Sequence, residues 1–189
     1  MSSLMLQFPK PYADAVARLR VPGGFLIVAA FAWFSRPNAQ SLIIGICVSL
    51  LGLALRAWAA GCLYKDRDLA TGGPYAFTRN PLYLGTLLVA AGLVIASRSV
   101  WLGVLFAAIF VFIYLPVIQL EEQHLRDLFP AYGDYAARVP ALIPRLRPPQ
   151  SPSQPFNWRQ YKKNREYQAA LGFSIGAAWL IYRLFAALA

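Results

Sequence analysis

Uninterrupted apolar stretches constrain this sequence more than any other feature. A helix rising ~1.5 Å per residue needs about twenty such residues to cross ~30 Å of hydrocarbon. The stretches at 41–63, 81–97, 100–120 and 168–188 have that character, and Ser97-Arg98-Ser99 joins the middle two as a hairpin. A fifth, at 21–35, is short. It spans if it tilts in a thinned bilayer or extends back past Arg18 and Arg20, whose long side chains can snorkel. A re-entrant segment or a leader cleaved near Ala30-Phe31-Ala32 are the alternatives there, and with the chain read from Met1, retention is expected. With 58% hydrophobic and 14% charged residues and a mean hydropathy of +0.47, 189 residues carry too little charge to cover a soluble domain. The expected fold is all-α: a polytopic membrane protein of about five transmembrane helices.

The net charge of +10 invites a nucleic-acid reading, but in such a chain basic residues are first sorted by loop. Lys10, Arg18 and Arg20 precede the first span, and Lys65, Arg67 and Arg79 lie between the second and third. Arg126, Arg138, Arg145, Arg147, Arg159, Lys162, Lys163 and Arg165 lie between the fourth and fifth. The opposite side receives Arg36, Arg98 and Arg183, with Arg56 inside a span. This asymmetry predicts a cytoplasmic N-terminus and cytoplasmic loops at 64–80 and 121–167. The basic excess is then a topology signal, with attraction to anionic head groups as a secondary effect and no nucleic-acid partner.

The organisation that follows has an N-terminal segment at 1–20, two spans within 21–63, and a catalytic core at 64–145 that includes the helical hairpin 81–120. A Pro- and Ser-rich basic linker at 146–167 and a last span at 168–189 complete it. The loop from Leu63 to Tyr75 is dense in Gly and Pro, and Arg79-Asn80-Pro81 leads into the third span. Pro81 suits the first helical position and Asn80 the N-cap. A helix N-terminus at the membrane face favours an anionic group. Further on, Glu121 and Glu122 end a span, where an acidic pair opposes the helix dipole unless it meets a cation. Phe129, Tyr132, Tyr135 and Val139 recur at helical spacing, predicting a short interfacial helix with its aromatics inward and Pro140 and Pro144 closing it. A ligand with both a carboxylate and a positive centre would fit between these two elements.

Thr71-Gly72-Gly73-Pro74-Tyr75 followed by Arg79-Asn80-Pro81-Leu82-Tyr83-Leu84-Gly85 resembles the first signature of the isoprenylcysteine carboxyl methyltransferases and their phospholipid methyltransferase relatives. Glu121-Glu122-Gln123-His124-Leu125, then Tyr132, Tyr135, Arg138, Val139-Pro140 and Pro144, resembles the second. The resemblance covers roughly residues 41–145. It implies a membrane enzyme that uses S-adenosylmethionine on a lipid-soluble or lipidated acceptor, with the cofactor site on the cytoplasmic side. Carried over residue by residue, it implies cofactor contacts at Arg67, Asp68, Leu69, Ala70, Tyr75, Asn80, Pro81, Leu82, Tyr83 and Glu121. The sequence departs from the pattern in three places. Asn80 replaces a histidine, Phe129-Pro130 replaces Phe-Gly, and Val117 stands where the isoprenylcysteine enzymes have an arginine for the acceptor carboxylate.

Catalytic roles are expected of Glu121 and of Arg56, an intramembrane arginine that either pairs with Glu121 or holds a polar head group. Glu122 is expected to face water or a basic loop residue, and His124, the single histidine, to be an ordinary exposed side chain. Tyr132 and Tyr135 are either interface anchors or pocket lining. Cys47 and Cys62 are read as packing residues, with no metal-ligand spacing. Gly172 and Gly176 form a GxxxG expected to pack the last span closely. The alternatives to a methyltransferase are an NADPH-dependent sterol-type reductase and a non-enzymatic membrane scaffold.

Overall fold

The computed structural model describes residues 8–147 and 154–187. Among them the α-helices are α1 Lys10–Ala17, α2 Arg20–Phe34, α3 Ala39–Cys62, α4 Pro81–Ser97, α5 Val100–Ile109, α6 Leu115–Leu128, α7 Tyr132–Arg138, α8 Trp158–Lys163 and α9 Tyr167–Ala186. A 3-10 turn at Gly73–Ala76 and a π-helical turn at Phe110–Tyr114 complete the all-helical chain. The boundaries follow local chemistry. Pro81, which lacks an N–H, opens α4, and the Leu84 N–H donates to the Asn80 carbonyl at 3.0 Å, so Asn80 is its N-cap. The hairpin turns at Arg98, in the left-handed region at φ 53°, and the Ser99 hydroxyl accepts from the Leu102 N–H to cap α5.

Three helices are long and apolar enough to cross a membrane: α3, α9 and the continuous run Val100–Leu128. The pair Lys10–Ala17 and Pro22–Phe34, bent by 58°, makes a fourth if it is one broken span. The fifth expected span, α4, begins and ends where predicted, and its 17 residues cover ~25 Å.

The described residues fall into two compact units, one drawn from Leu50–Val89 and Leu125–Ser174, the other from Leu4–Ser49, Ala90–His124 and Ile175–Ala189. In the first, α3 and α4 approach closely at Gly52 and Gly85. A Cβ on Gly52 would lie 2.7 Å from the Gly85 carbonyl and 2.7 Å from the Val89 nitrogen, both backbone atoms. Two clusters stabilise this unit. Ala59, Cys62, Ala70 and Tyr75 pack with Leu63 and Leu82. Tyr132, Tyr135 and Val139 pack with Leu69, Leu125, Phe129 and Ala136, as the inward-facing aromatic spacing predicts.

In the second unit, Pro116 removes the N–H that would bond the Phe112 carbonyl, and the Tyr12 hydroxyl donates to that carbonyl instead, at 2.9 Å. Gln119 pairs reciprocally with the backbone of Phe8, both bonds 2.8 Å, so the N-terminal segment docks on the helix that Pro116 interrupts. Leu42, Ala96 and Leu180 form the core of this unit.

Two packing expectations are corrected. Nothing lies within 4 Å of a Cβ on Gly172, and Gly176 is met only at 3.9 Å, so the GxxxG does not seal the last span. The close helix approaches are at Gly52 and Gly85 and, in the second unit, where Gly45 faces Gly92 and Ala96. Cys62 is buried but Cys47 is exposed. Residues 148–153 of the expected linker lie outside the described residues. From Gln154 onward the chain is no free tether. The Asn157 N–H donates to the Gly61 carbonyl, and the Asn164 amide donates to the carbonyls of Ala60 and Leu63. These bonds satisfy carbonyls that the end of α3 leaves without helical partners.

Candidate functional site

Proline at 140 stops α7 and leaves carbonyls over 136–142 in need of donors. The first signature supplies them. Arg79 Nη1 donates to the carbonyls of Ala136 and Val139, both at 2.8 Å, and its backbone N–H donates to Pro140 at 2.8 Å. A cation is favourable at that helix C-terminus. The Thr78 hydroxyl, almost fully buried, donates to the carbonyls of Ala141 at 2.9 Å and Leu142 at 3.2 Å. The Asn80 side-chain amide donates to the Ala141 carbonyl at 3.1 Å. The Tyr135 hydroxyl donates to the Tyr75 carbonyl at 2.7 Å in a buried bond. Segments 75–80 and 135–142, about sixty residues apart, are thus one hydrogen-bonded body at the start of α4. Gly73, at φ 56°, makes the preceding turn in a conformation that suits glycine.

The structure treats the expected contact residues differently. Ala70, Tyr75 and Leu82 share one packed cluster, and Leu69 reaches the aromatic cluster around Tyr132. Pro81 is buried, and Asn80 and Tyr83 are half-buried. Arg67 and Asp68 stand exposed on the loop, 3.9 Å apart. Tyr132 and Tyr135 are buried and so are not interface anchors. Glu121 belongs to the other unit and is exposed, as is His124, whereas Glu122 is 8% exposed and so does not face water, one of the two positions expected of it.

Arg56, expected to pair with Glu121 or to hold a polar head group, pairs with Glu166. Nε donates to Glu166 Oε1 at 2.5 Å and Nη2 to Oε2 at 3.0 Å, a two-pronged pair with the carboxylate side chain only 9% exposed. Nη1 donates to the Leu82 carbonyl at 3.2 Å and to the Thr86 hydroxyl. Sequence reasoning missed Glu166 in this role. An acid directly before an apolar helix is a visible signal, since it suits the dipole of α9, but nothing local connects it with residue 56.

Residues 41–132 match the phospholipid methyltransferase family. The phospholipid methyltransferase match runs from α3 through α4, α5 and α6 to Tyr132, and it bears out the resemblance read from the two signatures. Similar curated proteins include the nickel-cobalt-cadmium resistance protein NccN of Alcaligenes xylosoxydans xylosoxydans, 35% identical over 118 residues, 60% of this chain and 53% of that protein. Phosphatidylethanolamine N-methyltransferase B of Dictyostelium discoideum is 32% identical over 105 residues, 49% of this chain and 52% of its own. The protein-S-isoprenylcysteine O-methyltransferase of Schizosaccharomyces pombe is 27% identical over 148 residues, 75% of this chain and 62% of its own. The chain spans about half the length of the first two and under two thirds of the third. No solved structure matches it. Among the described residues, no group of three or more His, Cys, Asp or Glu side chains is placed to hold a metal ion.

Proposed function

We propose that this chain is a membrane methyltransferase that moves a methyl group from S-adenosylmethionine to an acceptor dissolved in the bilayer. The observation that carries this reading is the union of both signature segments at the start of α4, the first of them within residues 41–132, which match the phospholipid methyltransferase family. Residues from Arg67 to Tyr83 would hold the cofactor. The first turn of α4 suits its carboxylate, and by the resemblance alone Glu121 is proposed as a cofactor contact. When bound, S-adenosylmethionine supplies a methyl group on a positively charged sulfur, and transfer needs alignment and exclusion of water more than acid–base residues.

The acceptor we propose is a phospholipid amine. A carboxylate acceptor asks for a fixed cation, yet Val117 is apolar and buried, and four of the five N–H groups of Arg56 are already used within the protein. Held by residues between Arg67 and Tyr83, the cofactor would supply the methyl group to the amine nitrogen, whose proton would pass to solvent.

Thermal unfolding of the purified protein with S-adenosylhomocysteine or NADPH tests the cofactor. At a hundredfold excess over Kd, S-adenosylhomocysteine should add about 2.7 kcal/mol and NADPH nothing. Stabilisation by NADPH alone points to a reductase and by neither to a scaffold. Labelled methyl incorporation should then favour phosphatidylethanolamine over a farnesylcysteine analogue, and the opposite preference overturns the acceptor assignment.

The orientation is part of the same proposal and rests on the basic loops. A cysteine at Asp68, whose side chain is 61% exposed, should react with an impermeant maleimide only after the cytoplasmic face is opened. Labelling in intact cells reverses the topology. The companion position Ser151 lies outside the described residues.

A further inference from the structure

We infer that Glu166, outside the stretch that matches the family, is a positioning residue for the cofactor end of α4, acting through Arg56. The inference rests on the methyltransferase reading above. Arg56 leaves α3 and crosses α4 at Gly85, where a Cβ would lie 2.5 Å from Arg56 Cγ, so the absence of a side chain at 85 creates the passage. Beyond that crossing the guanidinium divides its donors. One nitrogen serves the Leu82 carbonyl and the Thr86 hydroxyl, which itself donates to the Leu82 carbonyl at 2.9 Å. The other two face the Glu166 carboxylate. The planar fork has one orientation that satisfies both sets, so Glu166 sets where Arg56 holds the first turn of α4.

Glu166 is itself fixed. It follows Arg165 at φ 54°, its N–H donates to the Tyr161 carbonyl, and its own carbonyl accepts from Ala169 at the start of α9. Asn164, two residues earlier, ties this corner to the end of α3 through Ala60 and Leu63. The corner between α8 and α9 therefore acts as a brace on the segment Asn80 to Tyr83. Binding sites lose affinity when their supporting contacts let them drift by an ångström or less.

A brace and a mere stabiliser are separable, because replacing a buried ion pair by apolar residues is often neutral or stabilising, whereas removing one partner is not. The test uses Glu166→Gln and the double replacement Arg56→Met with Glu166→Met, each purified as full-length protein. Glu166→Gln should lower the unfolding temperature and weaken S-adenosylhomocysteine binding about ten- to a hundredfold. The double variant should recover the unfolding temperature but keep the weakened binding. Hydrogen exchange over residues 82–86, measured without ligand, should be faster in both variants than in wild type. Wild-type affinity in the double variant, or unchanged exchange in both, overturns the inference. Failure of the wild-type protein to bind S-adenosylhomocysteine would refute the methyltransferase reading instead, and exchange would still decide whether Glu166 holds α4. Should the double variant not fold, Glu166→Gln alone decides by the same two measurements.

Discussion

Glu121→Gln is expected to weaken S-adenosylhomocysteine binding about ten- to a hundredfold while leaving thermal unfolding near wild type, and Glu122→Gln to do the reverse. The first expectation follows from the proposed role of Glu121 beside a cationic ligand, where losing one charge-assisted contact costs about 1.5–3 kcal/mol. The second follows from burial. Glu122 is 8% exposed, and a buried carboxylate is held by partners that an amide satisfies less well, at a cost of about 1–3 kcal/mol in stability. Titration calorimetry and thermal unfolding of both variants in one detergent provide each with its control. Small, equal losses of affinity would make Glu121 a solvated flank. A large loss confined to Glu122→Gln would move the ligand's acidic partner one residue along the helix.

Gly52→Ala should destabilise the protein by about 1–3 kcal/mol, lowering its unfolding temperature by several degrees. The added carbon would lie 2.7 Å from two backbone atoms of α4 and 2.9 Å from Leu88 Cβ, none of which can step aside without moving the helix. Gly172→Ala, with nothing within 4 Å, is the control. It should change stability by less than about 0.5 kcal/mol, or raise it slightly, since alanine favours helix over glycine. Equal unfolding temperatures for the two variants would mean that α3 and α4 do not meet at Gly52. Because the same approach lets Arg56 pass at Gly85, Gly52→Ala should also show faster exchange in the first turn of α4.

The helix ends were legible in the sequence because the signals that set them are local. Pro81 and Ser97 bound α4 as predicted, since a missing N–H and a turn act within a few residues. The short helix after Phe129 and its buried Tyr132, Tyr135 and Val139 follow from the same periodicity. The two signature segments were recognisable too, and the family match confirms that resemblance. Apolar length alone, however, did not show that the first span is one arm of a pair, Lys10–Ala17 and Pro22–Phe34, bent by 58°.

By itself, then, the sequence determined an all-helical membrane chain, its element boundaries and its family resemblance, all of which rest on interactions within a turn or two of each residue. Only the tertiary structure decided that Arg56 pairs with Glu166, 110 residues away, that Glu122 and not Glu121 is buried, and that Thr78, Arg79 and Asn80 supply donors to the carbonyls of 136–142. Those outcomes depend on how each helix is rotated about its axis and on which distant carbonyls a proline leaves open. Both are set by packing across the chain, which local spacing does not record.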